Sequence, residues 1–154
     1  MEQTFVILKP SAIQRSLCGD VLMRFQRKGL VISGIKMMQL DENILRIHYA
    51  HLVDRPFFKD IVTSMTRTPV IVMVLKGKDA VTVVRSMTGA TNCRKAQPGT
   101  IRGDFGMSGQ ENIIHASDTP ENALIEINRF FSPEEIFDYP TPLIEATYAP
   151  DEID

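Results

Sequence analysis

The stretch Asn112-Ile113-Ile114-His115-Ala116-Ser117-Asp118-Thr119 sets an imidazole between a pair of β-branched apolar residues and three successive helix-capping residues. The two isoleucines predict a short buried strand. Ser117, Asp118 and Thr119 are all N-cap residues, and Pro120 suits the first position of a helix. His115 therefore falls at a predicted strand-to-helix junction, where backbone N–H groups and a helix N-terminus favour anions. Imidazole can act as a neutral nucleophile near pH 7. A nucleophile beside an anion site points to transfer of a phosphoryl group. The alternative is a histidine satisfied at a strand end, with no chemistry.

Any phosphate bound here must be held by side chains. The chain has no G-x-x-x-x-G-K-[ST] loop and no G-x-G-x-x-G. The cationic candidates are Lys9, Arg55, Arg85 and Arg102, each of which alone reads equally as a solvated surface charge. Arg102 shares a long segment, Gly89 to Glu111, with Arg94 and Lys95. A structureless loop of that length in a compact domain is usually functional. His48 and His51 stand three residues apart on a predicted helix. With no third ligand nearby, they are expected on a solvated helix face rather than around a metal. Phe57 and Phe58 follow Asp54-Arg55-Pro56. At least one of them is expected in the core, and an exposed one would make a stacking platform.

The elements that must position these residues can be traced by periodicity. Thr4 to Lys9 has strand composition, and Pro10 ends it. Lys9 then faces an irregular loop, Ser11 to Ser16. Leu17, Val21, Leu22 and Phe25 form one helical face up to Lys28, with Gly29 as the stop signal. Strand character returns from Leu30 to Leu40. Asp41 caps a helix running to about His51, and Asp60 to Arg67 predicts another. Val70 to Leu75 is the most hydrophobic strand and is expected at the centre of the sheet. A helix to about Thr88, the long loop, the His115 strand and a helix from Pro120 to about Phe131 follow. Ser132-Pro133-Glu134-Glu135 is a capping box. The order is βαββαβ with additions, an α/β sandwich of the ferredoxin-like kind: a four-stranded antiparallel sheet with helices covering one face, plus a long active-site loop.

Composition narrows the class. A 154-residue chain with 44% apolar and 23% charged residues is sized for one soluble domain. It holds no apolar run of about 18 residues and no secretory leader, so no membrane association is expected. Two cysteines are too few for a disulfide framework or a zinc site, and a reducing, cytoplasmic setting is the expectation. All 17 Lys and Arg lie at or before Arg129, while seven of the 19 acidic residues follow it. That mildly basic body suits small polyphosphates and does not specify a nucleic-acid site.

Taken together, four blocks resemble the nucleoside diphosphate kinases from Thr4 to about Tyr139. They are Ile7-Leu8-Lys9-Pro10; Asp54-Arg55-Pro56-Phe57-Phe58; Pro98-Gly99-Thr100-Ile101-Arg102-Gly103-Asp104-Phe105; and Asn112-Ile113-Ile114-His115 with Ser117-Asp118. The resemblance implies a domain over residues 1–139 followed by an acidic, proline-containing tail over 140–154. It implies that His115 takes the γ-phosphoryl group of ATP or another nucleoside triphosphate and passes it to a nucleoside diphosphate, with little discrimination between bases. Glu126 and Ser117 would orient His115. Tyr49, Arg55, Arg85, Thr91 and Arg102 would contact phosphates, Lys9 and Asn112 the sugar, and Phe57 the base. Mg²⁺ would be held largely by the nucleotide, with no protein metal site. A homo-oligomer is implied, a hexamer in preference to a tetramer.

Four positions depart from the family pattern. Ala116 replaces the usual glycine after the histidine, Ser11-Ala12 replaces Asp-Gly, and Cys93 replaces a proline. A methyl at position 116 is harmless unless φ is positive, and Cys93 removes a rigid point from the long loop. Two rival functions remain. A non-catalytic nucleotide sensor of the same fold predicts damage at His115, Arg102 or Lys9, and none is present. A phosphohistidine carrier charged by another protein would need neither Phe57 nor the arginine-bearing loop. Leu143, Ile144, Tyr148 and Ile153 give the tail more apolar character than a solvated acidic tail needs. Its prolines predict an extended path along protein surface, either this subunit's or a neighbour's.

Overall fold

The computed structural model describes residues 1–153. Its centre is a four-stranded antiparallel sheet in the order β2-β3-β1-β4. The strands are β1 (Glu2–Leu8), β2 (Val31–Met38), β3 (Val70–Gly77) and β4 (Ile114–Ala116). The apolar run of β3 does pair on both sides, with β1 and with β2. This is the βαββαβ sandwich expected from the periodicity. Among the described residues, no helix is long and apolar enough to cross a membrane.

One feature of the packing differs from expectation. The helices cover both faces of the sheet, not one. Strands β1 and β3 are apolar at consecutive positions, so both of their faces need cover. Val6, Leu8, Met73 and Leu75 face one cluster, which α2 (Cys18–Lys28) and α5 (Ala80–Thr88) close with Val21, Phe25, Ala80 and Val84. These are the two crossover helices of the βαββαβ unit. Phe5, Ile7, Val72 and Val74 face the other cluster, closed by Leu45, Phe58, Met65, Ile127 and Phe130. Those residues come from the additions: α3 (Glu42–His48), α4 (Phe58–Met65) and α7 (Pro120–Phe130).

Local signals set several boundaries. Residues after Lys9 are not an irregular loop. Pro10 takes the first position of α1 (Pro10–Gln14), where its missing N–H costs nothing. Helix α2 ends at Gly29 with φ of 102°, a left-handed conformation that glycine adopts freely. Asp41 caps α3 by accepting from Ile44 N–H at 2.9 Å. The long segment from Gly89 to Glu111 is not structureless. It contains a 3-10 turn (Cys93–Lys95) and α6 (Ile101–Phe105), capped by Thr100. The capping box at Ser132 is formed and starts a 3-10 turn, Pro133–Glu135.

The tail is not extended throughout. Thr141 caps a six-residue helix, α8 (Pro142–Thr147), with Pro142 at its first position. A threonine before a proline is a helix start, and that signal outweighs the tail's lack of periodicity. The tail lies on its own chain. Tyr139 donates its hydroxyl to Ile32 O at 2.8 Å, and Lys78 N–H donates to Tyr148 Oη at 3.1 Å.

Candidate active site

His115 is the middle residue of β4, paired with Ile7 of β1. It sits within the strand rather than at its end, one position before Ala116 and four before the cap of α7. Thr119 is that cap, accepting from Asn122 N–H at 3.1 Å. Helix α7 then returns along the sheet and brings Glu126 back to the histidine. His115 Nε2 lies 2.9 Å from Glu126 Oε2, and Ser117 donates its hydroxyl to the same oxygen at 2.5 Å. Burial pushes the Glu126 carboxyl up, but the hydrogen bonds from His115 and Ser117 prevail and hold it below the ordinary carboxylate value. An ionised carboxylate can only accept. The His115 proton therefore sits on Nε2, and Nδ1 keeps its lone pair.

The backbone just before the histidine is strained. Ile113 has φ of 74°, a left-handed value that is an outlier for a β-branched residue. The turn is closed by Ile114 N–H donating to Asn112 O at 2.8 Å. Such strain costs about 1–3 kcal/mol and persists only when its surroundings dictate it. Here they do. Ile113 N–H donates to Ser11 Oγ at 3.1 Å, and Lys9 N–H donates to Ile113 O at 2.9 Å. Ser11 thus has a defined task at a position where the family usually has aspartate.

Arg102 completes the clamp. Its Nε donates to Asn112 O at 3.1 Å, one terminal nitrogen to Gly89 O at 3.1 Å, and the other to Ile114 O at 2.6 Å. Three of the guanidinium's five N–H groups thus hold the two ends of the long loop against β4, leaving two for a ligand. Asn112 works in the same way. Lys9 donates its ammonium to Asn112 Oδ1 at 2.7 Å, and Asn112 Nδ2 donates to Thr91 O at 3.1 Å. Burial, and then the charge of Arg102, push the Lys9 ammonium down to about 8.

Two contiguous clefts open beside these groups. The first, about 410 Å³, is lined by Lys9, Tyr49, Arg85, Thr91, Arg102, Asn112, His115 and Glu126, among others. Burial, then the charge of Glu126, push the Tyr49 hydroxyl up to about 12, so it stays a neutral donor. Arg85 reaches Ala116 O at 3.3 Å from the rim. The second cleft, about 310 Å³, shares Lys9, Tyr49, Thr91 and Asn112 and continues to Leu52, Phe57, Ile61 and Met65. Phe57 is 42% exposed along this apolar slot, while Phe58 is buried at 5%. The pair thus divides into one platform and one core residue.

Arg55 is not brought to these clefts. It is exposed and lines a separate hollow with Glu42, Arg46 and Lys59 on the outer side of the α3–α4 hairpin. Arg94 donates to Met107 O at 2.8 Å, inside the loop. His48 departs from expectation in the other direction. It is buried, not solvated, and its ring stands 4.7 Å from the His115 ring at 79°. Arg129 lies beside it. The signal for His48 was present: it falls three residues after the buried Leu45 and shares its face. Arg129 likewise follows Glu126 by three residues on α7.

The departures from the family pattern are accommodated. Ala116 is buried in β4 and is absent from the positive-φ residues, so its methyl brings no strain. Cys93 N–H donates to Ser108 O at 3.2 Å, a bond that a proline could not make. Both cysteines are free thiols.

The site thus sets an imidazole bonded to a carboxylate at the foot of a cationic cleft that opens onto an apolar slot. Comparison with known proteins identifies the family. Residues 2–136 match the family model described as nucleoside diphosphate kinase. The chain is 54% identical over 152 residues to a nucleoside diphosphate kinase of Parabacteroides distasonis, covering 99% of each chain. It is 51% identical over 142 residues to one of Pyrococcus horikoshii, covering 90% of each. Among solved structures, the nucleoside diphosphate kinase of Halobacterium salinarum in complex with CDP superposes with a TM-score of 0.93 at 41% identity, covering 96% of this chain and 99% of that one. A family member from Babesia bovis superposes with a TM-score of 0.92 at 35% identity, covering 96% of this chain and all of the other. With the fold and the sequence agreeing over nearly the whole length, this chain belongs to the nucleoside diphosphate kinase family.

Proposed function

We propose that His115 carries the phosphoryl group between two nucleotides that use the same cleft in turn. Members of this family move a γ-phosphoryl group by a ping-pong mechanism, and the bonded trio His115, Glu126 and Ser117 is the observation that supports placing that step on His115. The base of a nucleoside triphosphate stacks on Phe57, and the sugar meets Lys9 and Asn112. The phosphates run past Tyr49, Thr91, Arg85 and Arg102 toward the imidazole. Nδ1 attacks the γ-phosphorus as the bond from phosphorus to the bridging oxygen breaks, and the diphosphate leaves with that electron pair. The ring, now bearing phosphorus on Nδ1 and a proton on Nε2, is cationic. The Glu126 carboxylate already aimed at Nε2 stabilises that charge without reorganising. A second diphosphate reverses the step and leaves as the triphosphate.

Phosphoryl transfer of this kind generally requires a divalent cation, and we infer Mg²⁺. The cleft's donors fit an ion held mainly by the nucleotide. Glu126 is committed to His115 and Ser117, which leaves Asp118 as the other carboxylate lining the cleft. When bound, the ion would neutralise charge building on the phosphate oxygens. A stack on Phe57 without base-edge hydrogen bonds supports broad base use. The CDP complex of the halophilic relative fits a slot that accepts a pyrimidine.

In Arg55 we infer a phosphate contact made only when the α3–α4 hairpin closes over the ligand. We also infer a cytoplasmic homo-oligomer, a hexamer in preference to a tetramer. Ile35 and Met37, exposed on the edge strand β2, support a subunit contact there. Light scattering on the intact chain and on a chain lacking residues 140–154 tests both the assembly and the tail's part in it. The central test is chemical. Mixing the protein with ATP and Mg²⁺ should leave acid-labile phosphate on the His115 peptide, and label on any other residue would overturn the assignment.

A further inference from the structure

Beyond the phosphate contacts, the cleft ends at two residues with no task in the reaction as described: His48 and Arg129. Arg129 NH1 lies 3.1 Å from His48 Nδ1. A guanidinium has donors only and stays protonated. His48 Nδ1 must therefore be the acceptor, and its proton must sit on Nε2. The ring is gripped from three further sides. It stands 4.7 Å from the Tyr49 ring at 75°, 5.4 Å from Phe130 at 84°, and 4.7 Å from His115 at 79°.

We propose that Arg129 is a positioning residue for phosphoryl transfer: by holding His48 in one neutral tautomer, it keeps His48 from competing for Glu126 and keeps the His115 ring seated on that carboxylate. This rests on His115 being the phosphoryl acceptor.

The reach of His48 makes competition real. One side-chain nitrogen or oxygen from each of His48, His115 and Glu126 lies within 4.8 Å of the others. Without Arg129, a buried Nδ1 would be left without a donor. The ring could then turn, or take a second proton and pair with Glu126 in place of His115. The groups facing His48 are His115 on β4, Glu126 and Arg129 on α7, Lys9 at the end of β1, and Tyr49 at the end of α3. Burial, then the neighbouring His115 and the charges of Arg129 and Lys9, push His48 down to about 3, against the pull of Glu126. Removing the Arg129 charge raises that value. Protonated His48 then forms at higher pH as the solution is acidified, so the variant should lose activity on the acid side before the parent does.

The test compares Arg129→Met, which keeps the stem and loses the donors, with Arg129→Lys, which restores one donor. In Arg129→Met, single-turnover phosphorylation by ATP with Mg²⁺ should slow about tenfold, as misplacing a reacting group does. The KM for the diphosphate should move less than about twofold if Arg129 touches no nucleotide. Nitrogen-resolved NMR of the imidazoles should show His48 leaving the single Nε2–H tautomer, and Arg129→Lys should recover most of the rate. An unchanged rate, an unchanged His48 tautomer, or a rise in KM alone would overturn the proposal, the last pointing to direct nucleotide contact. A rate loss that Arg129→Lys does not recover, with the His48 tautomer intact, would mark a merely structural role. The site of labelling in the parent protein is read separately by mass spectrometry of the His115 peptide. Failure there overturns the acceptor assignment whatever Arg129 does.

Discussion

The two ends of the cleft are built in opposite ways. At the end proposed to hold the phosphates, Arg102 and Asn112 are buried and bonded to backbone carbonyls, and a strained turn at Ile113 is held from three sides. At the end proposed to hold the base, a single ring, Phe57, lies open to solvent. The difference follows from what each end must do. In-line attack tolerates little misplacement, so the nucleophile needs over-determined supports. Stacking on a flat ring is indifferent to which base arrives, so a loose slot suffices. Substitutions at the rigid end should therefore alter rate and stability, and those at the open end should alter affinity alone.

The sharpest break is His115→Ala. Transfer should fall by on the order of 10³-fold or more, while nucleotide binding, measured by calorimetry, stays near that of the parent. Full turnover in this variant would sink the phosphohistidine mechanism.

Arg102→Lys comes next. The lysine keeps the charge but cannot reach all three carbonyls. Losing hydrogen bonds to a buried charged group should cost about 3 kcal/mol of stability, read as a lower denaturant midpoint. Transfer should drop by roughly a hundredfold as the Ile113 turn relaxes. Lost activity with unchanged stability would mean that Arg102 acts on phosphate alone, and the rigid end would lose its best evidence.

Lys9 gives a smaller, pH-dependent effect. With its ammonium at about 8, Lys9 is charged on the acid side of that value and neutral above it. Since kcat/KM reports the free enzyme, it should hold below pH 8 and decline as pH rises through it. A Lys9→Met variant should be slower and lack that limb. A limb that persists belongs to another group.

Phe57→Ala should have the smallest effect. An exposed ring contributes little to the fold, and loss of one stack costs about 1–3 kcal/mol of binding. KM should rise while kcat and melting temperature stay close to the parent's. A large fall in kcat would erase the contrast between the two ends.

Much of this was legible in the sequence because short-range signals carried it. Caps at Asp41, Thr119 and Ser132, the Gly29 stop and the apolar β3 run placed the elements. His115, Glu126, Lys9, Tyr49, Arg85, Thr91, Arg102 and Asn112 do converge on one cleft, with Ser117 buried behind Glu126. What escaped was long-range or depended on context. The spacing of His48 and His51 points to a solvated pair, whereas the phase of His48 relative to the buried Leu45 puts it inside. The second covered face of the sheet is harder to read, because consecutive apolar residues in β1 and β3 signal a strand without naming the elements that meet each face. The positive φ at Ile113 left no local trace, since nothing about an isoleucine announces a conformation that only its neighbours impose.

The pairing of β1 with β4 carries a consequence for how the protein comes into being. Val6 is set against Ala116, and Ile7 against His115, so the sheet joins residues near the start of the chain to residues that emerge late from the ribosome. Closing so large a loop is entropically slow, and strands linked over such separations tend to dock after local helices have formed. Until that happens, Lys9 and Ser11 have no turn to hold and His115 has no neighbouring strand. On the proposed mechanism, a partly made or partly folded chain therefore has no nucleophile in place to squander nucleoside triphosphate.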